Sequence, residues 1–430
     1  MLNIKSNISE YKGLPREMYV LFFIRIINAV GNFVYPFLTL ILTEKMNYSP
    51  FETGIIMLIT SVIYVPASIL GGILADRWKY KSTFMLFSGF TGILFLICGF
   101  LLNSRIMIIF LILANVSDGI SQPSNTAMVS NFTNNENRST AFSLLYLGHN
   151  IGLSVGQLVG GTIFNNYTKY LFIGNAATIF LCVILIKFLV KEGTEYNNTE
   201  SDIDIGVNTE ETNIDKNDNK GLFKIIIENK KLIFFSLNSM LLAFIFAQEN
   251  FTLPLHVSDI FKENGAKYFG MLTSINSVTV ILLTLPVTVF TNKLKPSLNL
   301  SLSAFFSLIT ALLLCVFKQL YGFILAMIIW SVGEIFKATN LDAYVMNNSP
   351  KEYLGRLCSV FSLINGAGYA ITPLLMGKFV EVFGFKSSWI LVSIVAFTAL
   401  NGMLYLYRQE KKEKSETIGT VFSVNKNINK

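Results

Sequence analysis

Six ionisable side chains lie inside stretches that are otherwise apolar: Arg25, Asp118, His149, Glu249, Glu334 and Lys337. A charge near the centre of a bilayer costs roughly 2.5–3.5 kcal/mol on insertion scales, so such groups persist only where they face protein or water. The chemistry open to them is proton exchange. A carboxylate in a low-dielectric site holds its proton to higher pH and can trade it near neutrality. If it also faces a cavity, proton and substrate compete for it, a minimal mechanism for exchange. Glu334 and Asp118 stand near the middle of their stretches and Glu249 further along its own, so these three are the expected proton or substrate groups. Structural readings compete with this one. Glu334 and Lys337, at i and i+3, share a helix face and can neutralise each other. Arg25 is close enough to one end to snorkel, or else it binds substrate or pairs with Asp118. His149 is either a proton group or a packing residue.

Those residues need elements to hold them, and the composition says which. Of 430 residues, 52% are hydrophobic and only 14% charged, against about 25% charged in ordinary soluble proteins. Apolar stretches of about 20 residues recur, each long enough to span the hydrocarbon of a bilayer as a helix. About twelve such spans are expected: 19–42, 54–75, 83–102, 106–128, 141–164, 170–189, 232–256, 270–291, 298–317, 320–346, 356–379 and 387–407. The fold class is therefore an all-α membrane protein. A polar leader (1–18) precedes the first span, which is itself too long for a cleaved signal. A solvated, flexible linker (190–230), rich in Asn, Thr, Asp and Glu, divides two six-helix bundles (19–189 and 231–407), and a tail (408–430) follows. Most Lys and Arg fall in cytoplasmic connectors only if both termini are cytoplasmic, which sets the expected orientation. The net charge of +7 lies in these short connectors and does not suggest nucleic-acid binding. Four cysteines without paired spacing support neither a disulfide framework nor a metal site.

The halves repeat each other. Asn32-Phe33-Val34-Tyr35-Pro36 returns as Asn250-Phe251-Thr252-Leu253-Pro254. At an offset of 216, Gly54 falls on Gly270, Gly152 on Gly368, Gly161 on Gly377 and Asp118 on Glu334. Repeated six-span halves imply two pseudo-symmetric bundles with a site between them near the midplane.

Span 2 ends in Gly72-Ile73-Leu74-Ala75-Asp76-Arg77-Trp78-Lys79-Tyr80-Lys81. This run resembles the G-x-L-A-D-R-x-G-R-K loop of the major facilitator superfamily. Gly72, Asp76, Arg77 and Lys81 match, while Lys79 and Tyr80 replace the usual Gly-Arg. The resemblance implies a cytoplasmic latch that breaks when the transporter changes face; anchoring by positive charge alone is the simpler alternative. Span 5 carries Gly148, Gly152, Gly156, Gln157, Gly160 and Gly161, whose four-residue spacing lets another backbone approach. It is similar to the family's antiporter motif, with Gln157 where that motif has Pro. Asn115 stands where many members have an Arg. Spans 4–5, Glu249 and Glu334 together resemble proton-driven multidrug exporters of the LmrP type, although Leu145 replaces one of their carboxylates and Lys337 adds a cation.

The expected function is proton-coupled export of amphiphilic or drug-like small molecules across the cell membrane, by a monomer, driven by the proton gradient without a cofactor. The alternative is a proton-coupled transporter of a specific metabolite such as a peptide or organic anion, favoured by Arg25 and Lys337. A membrane-embedded enzyme would need a converging nucleophile or metal set, and none is apparent. Phe33, Tyr35, Phe251, Phe336 and Tyr344 are candidates for an apolar pocket, on faces the sequence leaves open.

Overall fold

In a medium without water, each backbone N–H and C=O must find its partner within its own segment, so a spanning chain becomes helix. A computed structural model describes residues 12–102, 104–134, 137–191, 230–291, 293–349 and 354–428, and these hold helices and no strand. Residues 192–229, most of the expected linker, lie outside the described residues, as do residues 1–11 and Asn135-Glu136. Eight helical stretches are long and apolar enough to cross a membrane. Breaks at Tyr167, around Lys262 and at Gly384 split three of them. With Met107–Asn131, the most polar span, they make twelve crossings.

The expected loops between spans 5 and 6 and between spans 11 and 12 are single-residue breaks instead. Arg138–Leu189 runs on through Tyr167 (φ −134°, ψ 34°), and Leu354–Ile428 through Gly384 (φ 73°, ψ 177°). The two breaks fall one residue from the repeat offset. Span 2 (Pro50–Trp78) starts with a capping box: Ser49 Oγ accepts from the Glu52 N–H at 3.2 Å, and Glu52 Oε2 accepts from the Ser49 N–H at 2.8 Å. Pro50 supplies the first helical φ.

Spans 1 and 7 are each interrupted at the same place in the repeat, just before a proline that favours the break. A proline ring clashes with the carbonyl four residues earlier and removes a hydrogen bond. For Pro36 that carbonyl belongs to Asn32, and for Pro254 to Asn250. Arg16–Val30 accordingly stops and Val34–Leu40 resumes, with Asn175 Oδ1 accepting the Val34 N–H at 3.3 Å. Lys230–Phe246 gives way to a 3-10 turn, Ala247–Glu249, before Thr252–Phe261. The freed Asn250 carbonyl accepts from Thr39 Oγ1 of the other half at 2.6 Å.

The halves meet at the end of the bundle away from the termini. There a Cβ on Gly54 would collide with the Pro373 carbonyl, and one on Gly270 with the Gln157 carbonyl. A Cβ on Gly377 would meet the Pro50 carbonyl, and one on Gly161 that of Ala266. At an offset of 216 these are two copies of one contact: 54 with 270, 373 with 157, 377 with 161 and 50 with 266. Polar contacts rim this far end. Ser258 donates to Glu44, Asn165 donates to the Glu263 carbonyl, and the Phe51 N–H donates to Glu381 Oε1 at 2.8 Å. Aromatic side chains fill each half, among them Phe37, Phe95 and Phe172 in the first and Phe235, Tyr344 and Trp389 in the second. Phe23, Ile69, Phe100, Phe188 and Phe290 project outward and suit a lipid-facing belt.

Candidate functional site

With the far end shut, a cavity of about 740 Å³ opens between the halves toward the end that bears the termini. Its wall is almost entirely the work of the first half; the second adds Ala338 and Asp342. Part of the lining is apolar, with Leu21, Ile24, Phe84, Phe95, Phe142 and Ile179. Interspersed with it are carboxamides and charge, from Arg25, Asn28, Asp118, Gln122, Asn125, His149 and Asn175. Asp118 Oδ1 accepts from Gln122 Nε2 at 3.2 Å, one turn along span 4. Arg25 feels Asp118 electrostatically but forms no ion pair or hydrogen bond among the described residues. His149 is on the wall with its Nδ1 buried and unpartnered. Asn115, at the position where the family often has Arg, accepts from Tyr35 Oη at 3.3 Å and donates to the Thr60 carbonyl at 2.7 Å.

The second half gathers its own charges apart from that wall. Glu249 sits at the end of the 3-10 turn, where the break turns its side chain inward, and Oε2 accepts from Trp330 Nε1 at 3.3 Å. Glu334 Oε2 accepts from Asn276 Nδ2 of span 8 at 2.8 Å, and the same amide reaches Ser331 Oγ at 3.1 Å. Both carboxylates remain partly exposed. Lys337, 8% exposed, is bonded to Tyr369 Oη and lies between two rings, 4.7 Å from the centroid of Phe246 and 4.5 Å from that of Tyr369. Glu249, Glu334 and Lys337 are within electrostatic reach of one another, and Tyr146 of span 5 is within reach of both carboxylates. Two carboxylates and one ammonium held by amide, indole and phenol groups form an arrangement able to bind and release a proton.

Several expectations change. The i, i+3 spacing of Glu334 and Lys337 does not produce an ion pair; Asn276 and Tyr369 are the partners instead, because spans 8 and 11 pack on that face. Lys337 therefore does not stand in the cavity as a lure for anions. Of the five aromatic candidates only Tyr35 reaches the cavity wall. Phe251 is fully buried, Phe33 packs on Gly160 and Gly174, Phe336 stacks on Phe306, and Tyr344 stacks on Phe235. His256 accepts from Trp389 Nε1 at 2.9 Å inside an aromatic cluster and is a packing residue. Asn276, Trp330 and Tyr369 escaped the sequence reading; polar amides inside spans were the available signal.

The glycines of span 5 work on two faces. Gly148, Gly152, Gly156 and Gly160 let span 1 approach, against Phe22, Ala29, Val30 and Phe37, while Gly161 and the Gln157 carbonyl meet span 8. Near the end of span 2, Gly72 has open space around it, and the close approach to span 4 belongs to Gly71, over the Ile120 carbonyl. Asp76 and Arg77 are exposed at the open end. Lys81 donates to the carbonyls of Lys187 at 3.2 Å and Val190 at 2.7 Å, capping the end of span 6. Lys79 takes φ 69°, ψ 134°, where the family's glycine would be at ease.

A family model described as Major Facilitator Superfamily matches residues 21–366 and, again, 265–423. The chain is 23% identical over 387 residues to the uncharacterized MFS-type transporter YqjV of Bacillus subtilis, covering 89% of this chain and 91% of that one. It is 22% identical over 397 residues to a Na(+), Li(+), K(+)/H(+) antiporter of Planococcus maritimus, covering 87% and 91%. Among solved structures, the nucleoside transporter NupG superposes with a TM-score of 0.73 at 14% identity, covering 91% of this chain and 99% of that one. A POT family transporter in complex with 5-aminolevulinic acid gives 0.72 at 14% identity, covering 92% and 96%. At these identities the structures speak to the fold alone.

Proposed function

Because the chain belongs to the Major Facilitator Superfamily, we propose that it is a secondary active transporter that exports an amphiphilic small molecule in exchange for protons. The observation that carries this is the partition of charge: Glu249, Glu334 and Lys337 lie within electrostatic reach of one another in the second half, each hydrogen-bonded to a neutral neighbour, and Arg25, Asp118 and His149 line a half-apolar cavity in the first. The cluster exchanges protons, and the cavity takes the cargo. Rocking of the halves about the midplane exposes both to one side at a time. Tyr146, on the cavity wall and within electrostatic reach of both glutamates, couples the two regions. No phosphate-binding loop is present in the sequence, so the driving force is the proton gradient. The protein acts as a monomer in the cell membrane, with cytoplasmic termini. A second reading, exchange of alkali cations for protons, draws on the name of the Planococcus maritimus relative; Arg25 in the cavity weighs against it.

The test uses inverted vesicles with a preset proton gradient followed by a pH-sensitive dye. Addition of an amphiphilic cargo dissipates the gradient in the wild type, and Glu334→Gln abolishes that response. Dissipation by Na+ or K+ alone moves the assignment to the second reading, and no solute-dependent dissipation removes both.

A further inference from the structure

Arg25 is the one Lys or Arg on the cavity wall among the described residues, and none of them meets its guanidinium with a hydrogen bond or ion pair. That group offers five N–H donors in a fixed fork and keeps its charge at every accessible pH. While the cavity is open, water satisfies it. When the halves close around a cargo the water leaves, and an unmet buried cation carries a heavy penalty. The two carboxylates on the wall are placed differently. Asp118 already accepts from Gln122 and, unlike a guanidinium, can shed its charge by taking a proton. Asp342 lies two turns beyond Glu334 along span 10, toward the open mouth. His149, within electrostatic reach of Arg25, adds a second nitrogen without a partner, and Asn28 lies one turn along span 1 from Arg25. A lipophilic cation entering here would leave the fork empty and add a second positive charge.

We propose that the cargo is an amphiphile bearing an acidic group, which Arg25 grips while the apolar wall of Ile24, Phe142 and Ile179 takes the rest. This rests on the cavity being the cargo site of the exchange proposed above. Guanidinium and carboxylate match as paired forks, so lysine is a poor substitute.

The test is binding to the purified full-length protein, read as ligand-induced shifts in Tm. The ligands are matched aryl and alkyl carboxylates with their primary amides and the corresponding amines, including N-acetylphenylalanine, N-acetylphenylalanine amide and phenylalanine amide. Carboxylates should raise Tm; amides and amines should not. Arg25→Gln should weaken carboxylate binding roughly ten- to hundredfold, Arg25→Lys should fall between, and Asp118→Asn should keep the preference for acids. The proposal fails if amides or amines bind as well as acids, if no acid binds, or if Arg25→Gln binds acids unchanged. It also fails if Arg25→Gln and Asp118→Asn lose binding together and the double variant regains it, since Arg25 would then be only a counter-ion. A cargo without an acid group that still dissipates the vesicle gradient fails this proposal and leaves the exchange standing. An acid that binds through Arg25 without moving protons does the reverse.

Discussion

Asp118 and Glu334 occupy equivalent places in the repeat, yet one lines an open cavity and the other is held among the side chains of its own half. The difference comes from their neighbours. Around Asp118 the first half leaves Arg25 and His149 unpartnered and lets water in. Around Glu334 the second half supplies Asn276, itself held by Ser331, with Trp330 and Tyr369, which close hydrogen bonds over the glutamates and the lysine. Duplicated backbone thus fixes where a charge sits along its span, and the side chains packed beside it decide whether it faces an open cavity or protein.

Removing the cation of each half is the sharpest way to break this contrast. Lys337→Met removes the cation nearest two partly exposed carboxylates and leaves Tyr369 Oη without its partner. It should cost about 3 kcal/mol, the upper end of the range for a buried polar group left unsatisfied, and thermal unfolding in detergent would show it. Arg25→Met, facing water, should leave unfolding nearly unchanged. Equal losses would mean that the two clusters are buried alike. Next in size are the duplicated contacts at the far end. Gly54→Val and Gly270→Val each drive a side chain into a carbonyl across the seam and should disfavour the closed far end by about 1–3 kcal/mol, as overpacking does. Distances between spin labels on the far ends of the halves should lengthen similarly in both variants; a response in only one would show that the repeat is not mechanically symmetric.

A smaller effect is expected where the repeat is strained on one side only. Lys79 has φ 69°, whereas its counterpart Lys295 has an ordinary φ of −68°. Lys79→Gly should stabilise the protein by about 1 kcal/mol by relieving that conformation. Lys295→Gly should destabilise it slightly, through greater freedom in the unfolded chain and loss of the ion pair with Glu410 at 3.5 Å. Chemical denaturation of both variants checks the sign. The smallest expected effect is a pH response. Slight burial pushes the Glu381 carboxyl up, but hydrogen bonds with Ser49 and the Phe51 N–H, with Lys378 beside it, outweigh this and hold it below the ordinary glutamate range. A carboxylate so lowered in the folded state stabilises it fully above the ordinary range, and that stability is lost as pH falls through the lowered value. Its repeat counterpart, Asn165, does not titrate. Acidifying the far side should therefore loosen the Glu381 side of the seam and not the Asn165 side, and Glu381→Gln should abolish the difference in label distances.

Much of the fold was legible because the bilayer leaves the chain few choices. Length, apolarity and the repeat located twelve spans, but not the breaks in spans 1 and 7, since Pro66, Pro123, Pro286 and Pro373 lie inside helices that run on. The connections at Tyr167 and Gly384 were not legible, since a helix that turns within one residue leaves no polar gap. The charged groups of the site could be found singly, because each costs insertion energy wherever it faces lipid. Their grouping could not. Lys337 goes to Tyr369, from span 11, and Glu334 to Asn276, from span 8; neither partner is near in sequence. A one-residue step rotates a helix by about 100°, and that is why Gly71 rather than Gly72 meets span 4 and why four of five aromatic candidates turn into the packing.

Inside its rim of hydrogen bonds, the far seam rests on four positions that have no side chain, set against backbone carbonyls. Ion pairs pull across many ångströms, but bare contact of this kind is felt only over the last one, since dispersion fades steeply with separation. The halves consequently gain little from being nearly closed. Such a seam favours two outcomes, docked or apart, and sparsely fills the positions between, so that the cavity is either shut at the far end or open there and seldom in between.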